Sequence, residues 1–148
     1  MAEADSRGAT QNHDDEESAH KEQQQHHVSN WFRCRIPAPS SRCHLFLFPF
    51  AGGDGDGLFA SWLKIIPSSV FEVHTLTLPG RGRLSDEKLI TSMPEIAGKC
   101  AEEIRHIIRK HPLPIAFFGA SLGCLVAYET ARILMMDEEK VSSSSSSS

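Results

Sequence analysis

Residues 119–123 read Gly119-Ala120-Ser121-Leu122-Gly123, a G-x-S-x-G pattern. A serine between two glycines can serve as a nucleophile when a sharp turn lifts its hydroxyl out of the backbone. Five residues with three fixed positions recur by chance, so the flanks matter. An apolar run, Ile115 to Phe118, enters the pattern, and a mostly apolar stretch, Leu122 to Met136, leaves it. That is the strand, turn and helix setting of a nucleophile elbow, in which Gly119 and Gly123 allow close backbone approach. The start of a helix also favours negative charge developing nearby. The competing reading is an ordinary tight turn with a capping serine.

A second stretch, Pro49-Phe50-Ala51-Gly52-Gly53, follows another apolar run. An oxyanion hole needs two main-chain N–H groups aimed at one point. One comes from the residue after the nucleophile, here Leu122, and the other from a loop after an earlier strand, here Ala51. A plain glycine turn is the alternative. A third stretch, Leu78-Pro79-Gly80-Arg81-Gly82-Arg83, reads as a turn carrying two cations, expected to be solvated unless a phosphate meets them.

The elements that must position these residues alternate in type. Cys43 to Phe50 reads as a buried strand running into a glycine turn. Leu58 to Ile66 suits a short helix stopped by Pro67. Phe71 to Leu78 alternates and ends at Pro79-Gly80, a second strand. The clearest helix is Pro94 to Lys110. Ser92 and Glu95 form a capping box, and Ile96, Ala97, Cys100, Ala101, Ile104, Ile107 and Ile108 share a face. Ile115 to Phe118 is a third strand, and Leu122 to Met136 a helix expected to be largely buried. Helices between strands predict an α/β fold, a parallel sheet of about three strands with flanking helices. Chemistry in such sheets sits beyond the carboxyl ends of the strands.

Composition narrows the reading. The 148 residues carry 15 Lys and Arg against 19 Asp and Glu, a formal charge of −4, which argues against a nucleic-acid binder. The acidity belongs to the first thirty residues, where Glu3, Asp5, Asp14, Asp15, Glu16, Glu17 and Glu22 face only Arg7 and Lys21. Residues 1–29, rich in Gln, His and acids, are expected to be a disordered tail. Residues 31–136 are the folded candidate, and 137–148 a charged and poly-Ser tail. No apolar run reaches the ~18 residues of a membrane span, and no leader pattern opens the chain. Cys34, Cys43, Cys100 and Cys124 lack metal spacing, so no metal is expected, and reduced thiols in a cytoplasmic protein are the expectation.

Taken in order, Trp31-Phe32, Leu45 to Gly53, Ser61-Trp62, Leu78 to Arg83 and Phe117 to Gly123 resemble the type II thioesterases of polyketide and nonribosomal peptide synthesis, relatives of the oleoyl-(acyl-carrier-protein) hydrolases. The resemblance covers residues 31–136 and implies part of an α/β-hydrolase fold. It implies hydrolysis of acyl thioesters carried on the phosphopantetheine of an acyl or peptidyl carrier protein, within fatty acid or polyketide synthesis. No other cofactor, no nucleic acid and no membrane span is implied. Ser121 is then the nucleophile of a Ser-His-Asp triad, and Ala51 and Leu122 line the oxyanion hole.

Two departures stand out. The family usually has His where this chain has Ala120, so the nucleophile loses a polar neighbour. In this fold the chain order is Ser, Asp or Glu, then His. After Ser121 the sequence offers Glu129, Asp137, Glu138 and Glu139 and no histidine, while His44, His74, His106 and His111 all precede it. About half of the family's domain is expected to be present, with poor activity by itself. The alternative is a catalytically inert module that binds a carrier protein or regulates. Either way the third strand is left as an apolar edge prone to aggregation.

Overall fold

The structure is a computed structural model and describes residues 31–144. The tail expected over 1–29 and the last four serines lie outside the described residues. Strands β1 (Phe32–Ile36), β2 (Cys43–Phe48), β3 (Phe71–Leu76) and β4 (Ile115–Gly119) form one sheet in the order β1-β3-β2-β4. β2 pairs in parallel with both β3 and β4. β1 runs antiparallel to β3. The expected three-stranded parallel sheet is therefore a four-stranded mixed one. The missing strand carries a period-two signal, with Phe32 and Cys34 alternating against Arg33 and Arg35. A register shift between Cys34 and Ile36 breaks that alternation, and Ile36 packs with the other face of the sheet.

Each face of β2 builds its own core. Phe46 and Phe48 join Phe32, Leu76, Ile96, Cys100, Ile104, Val126 and Ala127 on the helical side. Leu47 joins Phe59 and Val73 on the other, with Leu58, Leu63 and Ile66 packed around them. The chain covering this second face begins with α1 (Gly55–Leu58), capped by Asp54 through the amides of Asp56 and Gly57. It continues in a 3-10 turn over Trp62–Lys64. The longer helix expected over 58–66 does not form. Phe59, 2 % exposed, is drawn down between Leu47 and Val73, and that burial outweighs helical continuity.

Helix α2 (Met93–Lys110) starts as its sequence predicts: the Ser92 side chain accepts from the Glu95 amide at 3.4 Å, and Pro94 sits in the first turn. Ile96, Ala97, Cys100, Ala101 and Ile104 are buried as expected, Ile107 and Ile108 are half-buried, and Glu103 is buried with them at 1 % exposure. The Glu103 carboxylate accepts the amides of Trp31 and Phe32 at 3.2 Å each, tying the start of β1 to the helix. Helix α3 (Leu122–Ser144) runs on past the Met136 end expected for it. It is not largely buried. Val126, Ala127 and Thr130 pack inward, while Leu125, Tyr128, Met135 and Met136 are exposed. Only one side of the helix meets α2 and the sheet, and among the described residues nothing covers the other.

Candidate active site

β2 and β4 end side by side, with Phe48 opposite Gly119 in the ladder. Beyond that end the two glycine-bearing loops leave together. The Ala120 amide donates to the Phe48 carbonyl at 3.0 Å, which fixes one loop to the other. Ser121 follows with φ +52°, the one non-glycine residue of positive φ among the described residues. An L-residue held there costs roughly 1–2 kcal/mol. Helix α3 begins at once with Leu122, and the amides of Gly123 and Cys124 close onto the carbonyls of Ala120 and Ser121 at 2.9 Å each. Ser121 is exposed, and no described side chain hydrogen-bonds its hydroxyl.

Both glycines of the pattern are required by close approach. A Cβ on Gly119 would lie 2.5 Å from the Cys124 nitrogen, and one on Gly123 2.5 Å from the Pro49 carbonyl oxygen. The second loop is a β-turn in which the Gly53 amide donates to the Phe50 carbonyl at 2.9 Å. Gly52 takes φ +77°, the left-handed third position of a type II turn, which leaves Ala51 at the outward second position. Among the described residues, the amides of Ala51 and Leu122 make no main-chain hydrogen bond. Two free donors thus flank the elbow.

An aromatic wall stands behind it. Phe118, just before the elbow, has its ring centroid 4.7 Å from that of Trp62, and Phe59 packs against both.

Behind the loops lies a polar brace. Asp54, besides capping α1, accepts from the Thr77 hydroxyl at 2.8 Å. Asp56 accepts from Thr75 at 2.5 Å and from Arg35 at 3.0 Å, with Arg33 at 3.3 Å and Arg83 at 3.7 Å. Burial works to raise the Asp56 carboxyl, but its hydrogen bonds with Thr75 and the two arginines hold it below the ordinary value. Arg83 also donates to the Trp31 carbonyl at 2.7 Å, and Arg81 to that of Pro79 at 3.2 Å. The expectation that both arginines are simply solvated is corrected: Arg83 is spent on holding β1 to the loop after β3.

No described group stands where a triad partner would. His44, His74 and His111 gather at the other end of the strands, where His44 lies opposite Ile115 at the start of β4. His106 lies in α2. Glu129 pairs with Arg132 at 3.1 Å on α3, and Asp137 pairs with Arg105.

The model of a thioesterase domain matches residues 43–143, from β2 through α3. The chain belongs to this thioesterase family. It is 35% identical over 107 residues to the gramicidin S biosynthesis protein GrsT of Aneurinibacillus migulanus, covering 72% of this chain and 40% of that protein. It is 33% identical over 102 residues to the human S-acyl fatty acid synthase thioesterase, medium chain, covering 69% and 37%. Among solved structures it resembles YbtT, a type II thioesterase from the yersiniabactin pathway, with a TM-score of 0.64 and 28% identity over 74% of this chain and 43% of that one. RedJ, from the prodiginine pathway of Streptomyces coelicolor, gives 0.61 and 30% over 72% and 39%. The chain thus spans about two fifths of the length of these relatives.

Within this thioesterase fold the expected α/β-hydrolase-like architecture is borne out, and no described helix is long and apolar enough to cross a membrane. Sequence reasoning missed Asp54, Asp56 and Glu103. Asp54 had a local signal, since Asp-Gly-Asp-Gly after a turn is a helix cap. Glu103 had none, because its partners lie 71 and 72 positions away.

Proposed function

We propose that Ser121 is the nucleophile of an acyl-thioester hydrolase acting on acyl groups held by the phosphopantetheine of a carrier protein, in fatty acid, polyketide or nonribosomal peptide synthesis. The reading is supported above all by the left-handed, exposed Ser121 between two free main-chain donors. The Ser121 Oγ attacks the thioester carbonyl carbon as its proton passes to a base. The amides of Ala51 and Leu122 hold the resulting oxyanion; losing one such donor costs ~2.7–4 kcal/mol of transition-state stabilisation. The carbon–sulfur bond breaks, the thiol leaves with a proton, and water then releases the acid from the acyl-serine. Ala120, where the family usually has His, leaves the backbone turn undisturbed and removes one polar neighbour.

The proton acceptor is not among these residues. A serine without a base is a weak nucleophile, and triad hydrolases stripped of one member keep about 10³–10⁴-fold over water. Full turnover therefore needs an imidazole and a carboxylate from further polypeptide. With His44, His74 and His111 held at the opposite end of the strands from Ser121, a second reading is a module that binds a carrier protein without turnover. The test is hydrolysis of a short acyl thioester by the chain and by Ser121→Ala, alongside capture of an acyl carrier protein. Turnover that disappears in Ser121→Ala supports the nucleophile. Equal turnover in both refutes it, and capture with no turnover in either selects the second reading.

A further inference from the structure

At the end of the sheet remote from Ser121, three ligand-type atoms converge. His44 Nδ1 lies 3.2 Å from His74 Nε2 and 3.2 Å from Glu72 Oε1, and the last two are 3.1 Å apart. They are brought together by strand register. His44 stands opposite Glu72 in the parallel β2–β3 ladder, and Glu72 and His74, two apart on β3, share a face.

One corner of this triangle is fixed by the main chain. His44 Nε2 is 2.7 Å from the His111 carbonyl oxygen, which can only accept, so Nε2 carries the hydrogen. His44 Nδ1 is left facing Glu72 Oε1 and His74 Nε2, inside the triangle. His44 is 0 % exposed, so bulk solvent does not reach its corner. The spacing of the three atoms suits a cation at the centre. Ligand bonds of about 2.0 Å in a tetrahedron put the ligands ~3.3 Å apart, close to the observed edges. The surroundings match a metal site in two further respects. The second nitrogen of His44 is held by a main-chain carbonyl, and the other Glu72 oxygen faces His111 Nδ1 at 3.5 Å, both of which fix ligand orientation. The Cys34 thiol lies within 4.8 Å of ligand atoms of Glu72 and His74, a fourth donor from β1.

We propose that His44, Glu72 and His74, with Cys34 as fourth ligand, bind one divalent zinc-type ion that clamps β1, β2 and β3 together. Mixed nitrogen, oxygen and sulfur donors in a tetrahedron suit Zn²⁺ over Mg²⁺ or Ca²⁺. Glu72 is 15 % exposed and His111 34 %, which leaves an entry path on their side. His74 gives Nε2 to the ion in its Nδ1–H tautomer, and Cys34 releases its proton on binding. The site makes no use of Ser121, so it stands or falls apart from the hydrolase reading.

The tail histidines His13, His20, His26 and His27 are competing ligands, so the test uses the full chain with these four changed to Ala. After treatment with EDTA, this parent is titrated with Zn²⁺ against a chromophoric chelator, and with Co²⁺ by absorption. The expected result is one equivalent per chain, a rise in Tm with Zn²⁺, and a tetrahedral Co²⁺ spectrum with a thiolate charge-transfer band. Glu72→Gln should weaken Zn²⁺ by at least about tenfold at unchanged circular dichroism. Cys34→Ser should lose the charge-transfer band, and a band that persists overturns the fourth ligand. No saturable uptake by the parent, or equal affinity in a folded Glu72→Gln, overturns the site. Should Glu72→Gln fail to fold, the parent's stoichiometry and Co²⁺ spectrum decide alone.

Discussion

Ser121 holds a backbone angle that suits glycine and a side chain that glycine lacks. Changing it to Gly relieves roughly 1–2 kcal/mol of left-handed strain and gives back ~0.5–1 kcal/mol to the freer unfolded chain. Ser121→Gly is therefore expected to raise stability by about 0.5–1 kcal/mol in urea unfolding while removing the hydroxyl. A lowered midpoint would mean that the turn is not strained. Glu103 is the opposite case, a buried carboxylate whose removal orphans the amides of Trp31 and Phe32. Glu103→Ala is expected to cost about 1–3 kcal/mol, seen as a lower urea midpoint with an unchanged m-value. The two residues also differ in legibility. Ser121 announces itself through four neighbours in sequence, whereas Glu103 reads as one more acid on a helix. The His44, Glu72 and His74 triangle was equally hidden, since it exists only once β2 and β3 are in register.

At the scale of elements, the elbow depends on how closely α3 approaches the exit of β2. A methyl on Gly123 would press into the carbonyls of Phe48 and Pro49, main-chain atoms with no rotamer to give. Gly123→Ala is expected to lower stability by ~1–3 kcal/mol, as overpacking does, and to lower any thioester hydrolysis with it. Thermal unfolding and the thioester assay check the pair; activity kept at full level would show that the helix start can shift freely. Strand and helix identities were readable wherever a local period or cap marked them, as in α2 with Ser92 and Pro94. They were not readable where tertiary contact decides. The bulge at Arg35 masked β1, and the docking of Phe59 cut α1 short. The apolar composition of α3 promised two buried sides, and only one has a partner among the described residues.

The whole molecule is a sheet with two unlike margins. β1 is short, bulged and studded with Arg33 and Arg35, all features that discourage a further strand. β4 carries Ile115 and Phe118, each more than a third exposed, beside a cavity of about 330 Å³ lined by Ile115, Phe117, Ala131, Leu134 and Met135. The relatives, of which this chain spans about two fifths, have more polypeptide to place. Ile115→Lys with Met135→Lys is expected to cut concentration-dependent light scattering without changing the circular dichroism. Scattering that stays the same would locate the stickiness elsewhere. The unlike margins also limit how copies of this chain can join. When β4 of one copy zips onto β4 of another, both receptive borders are consumed and only arginine-guarded ones face outward. Such pairing closes at two subunits and cannot propagate into a fibre.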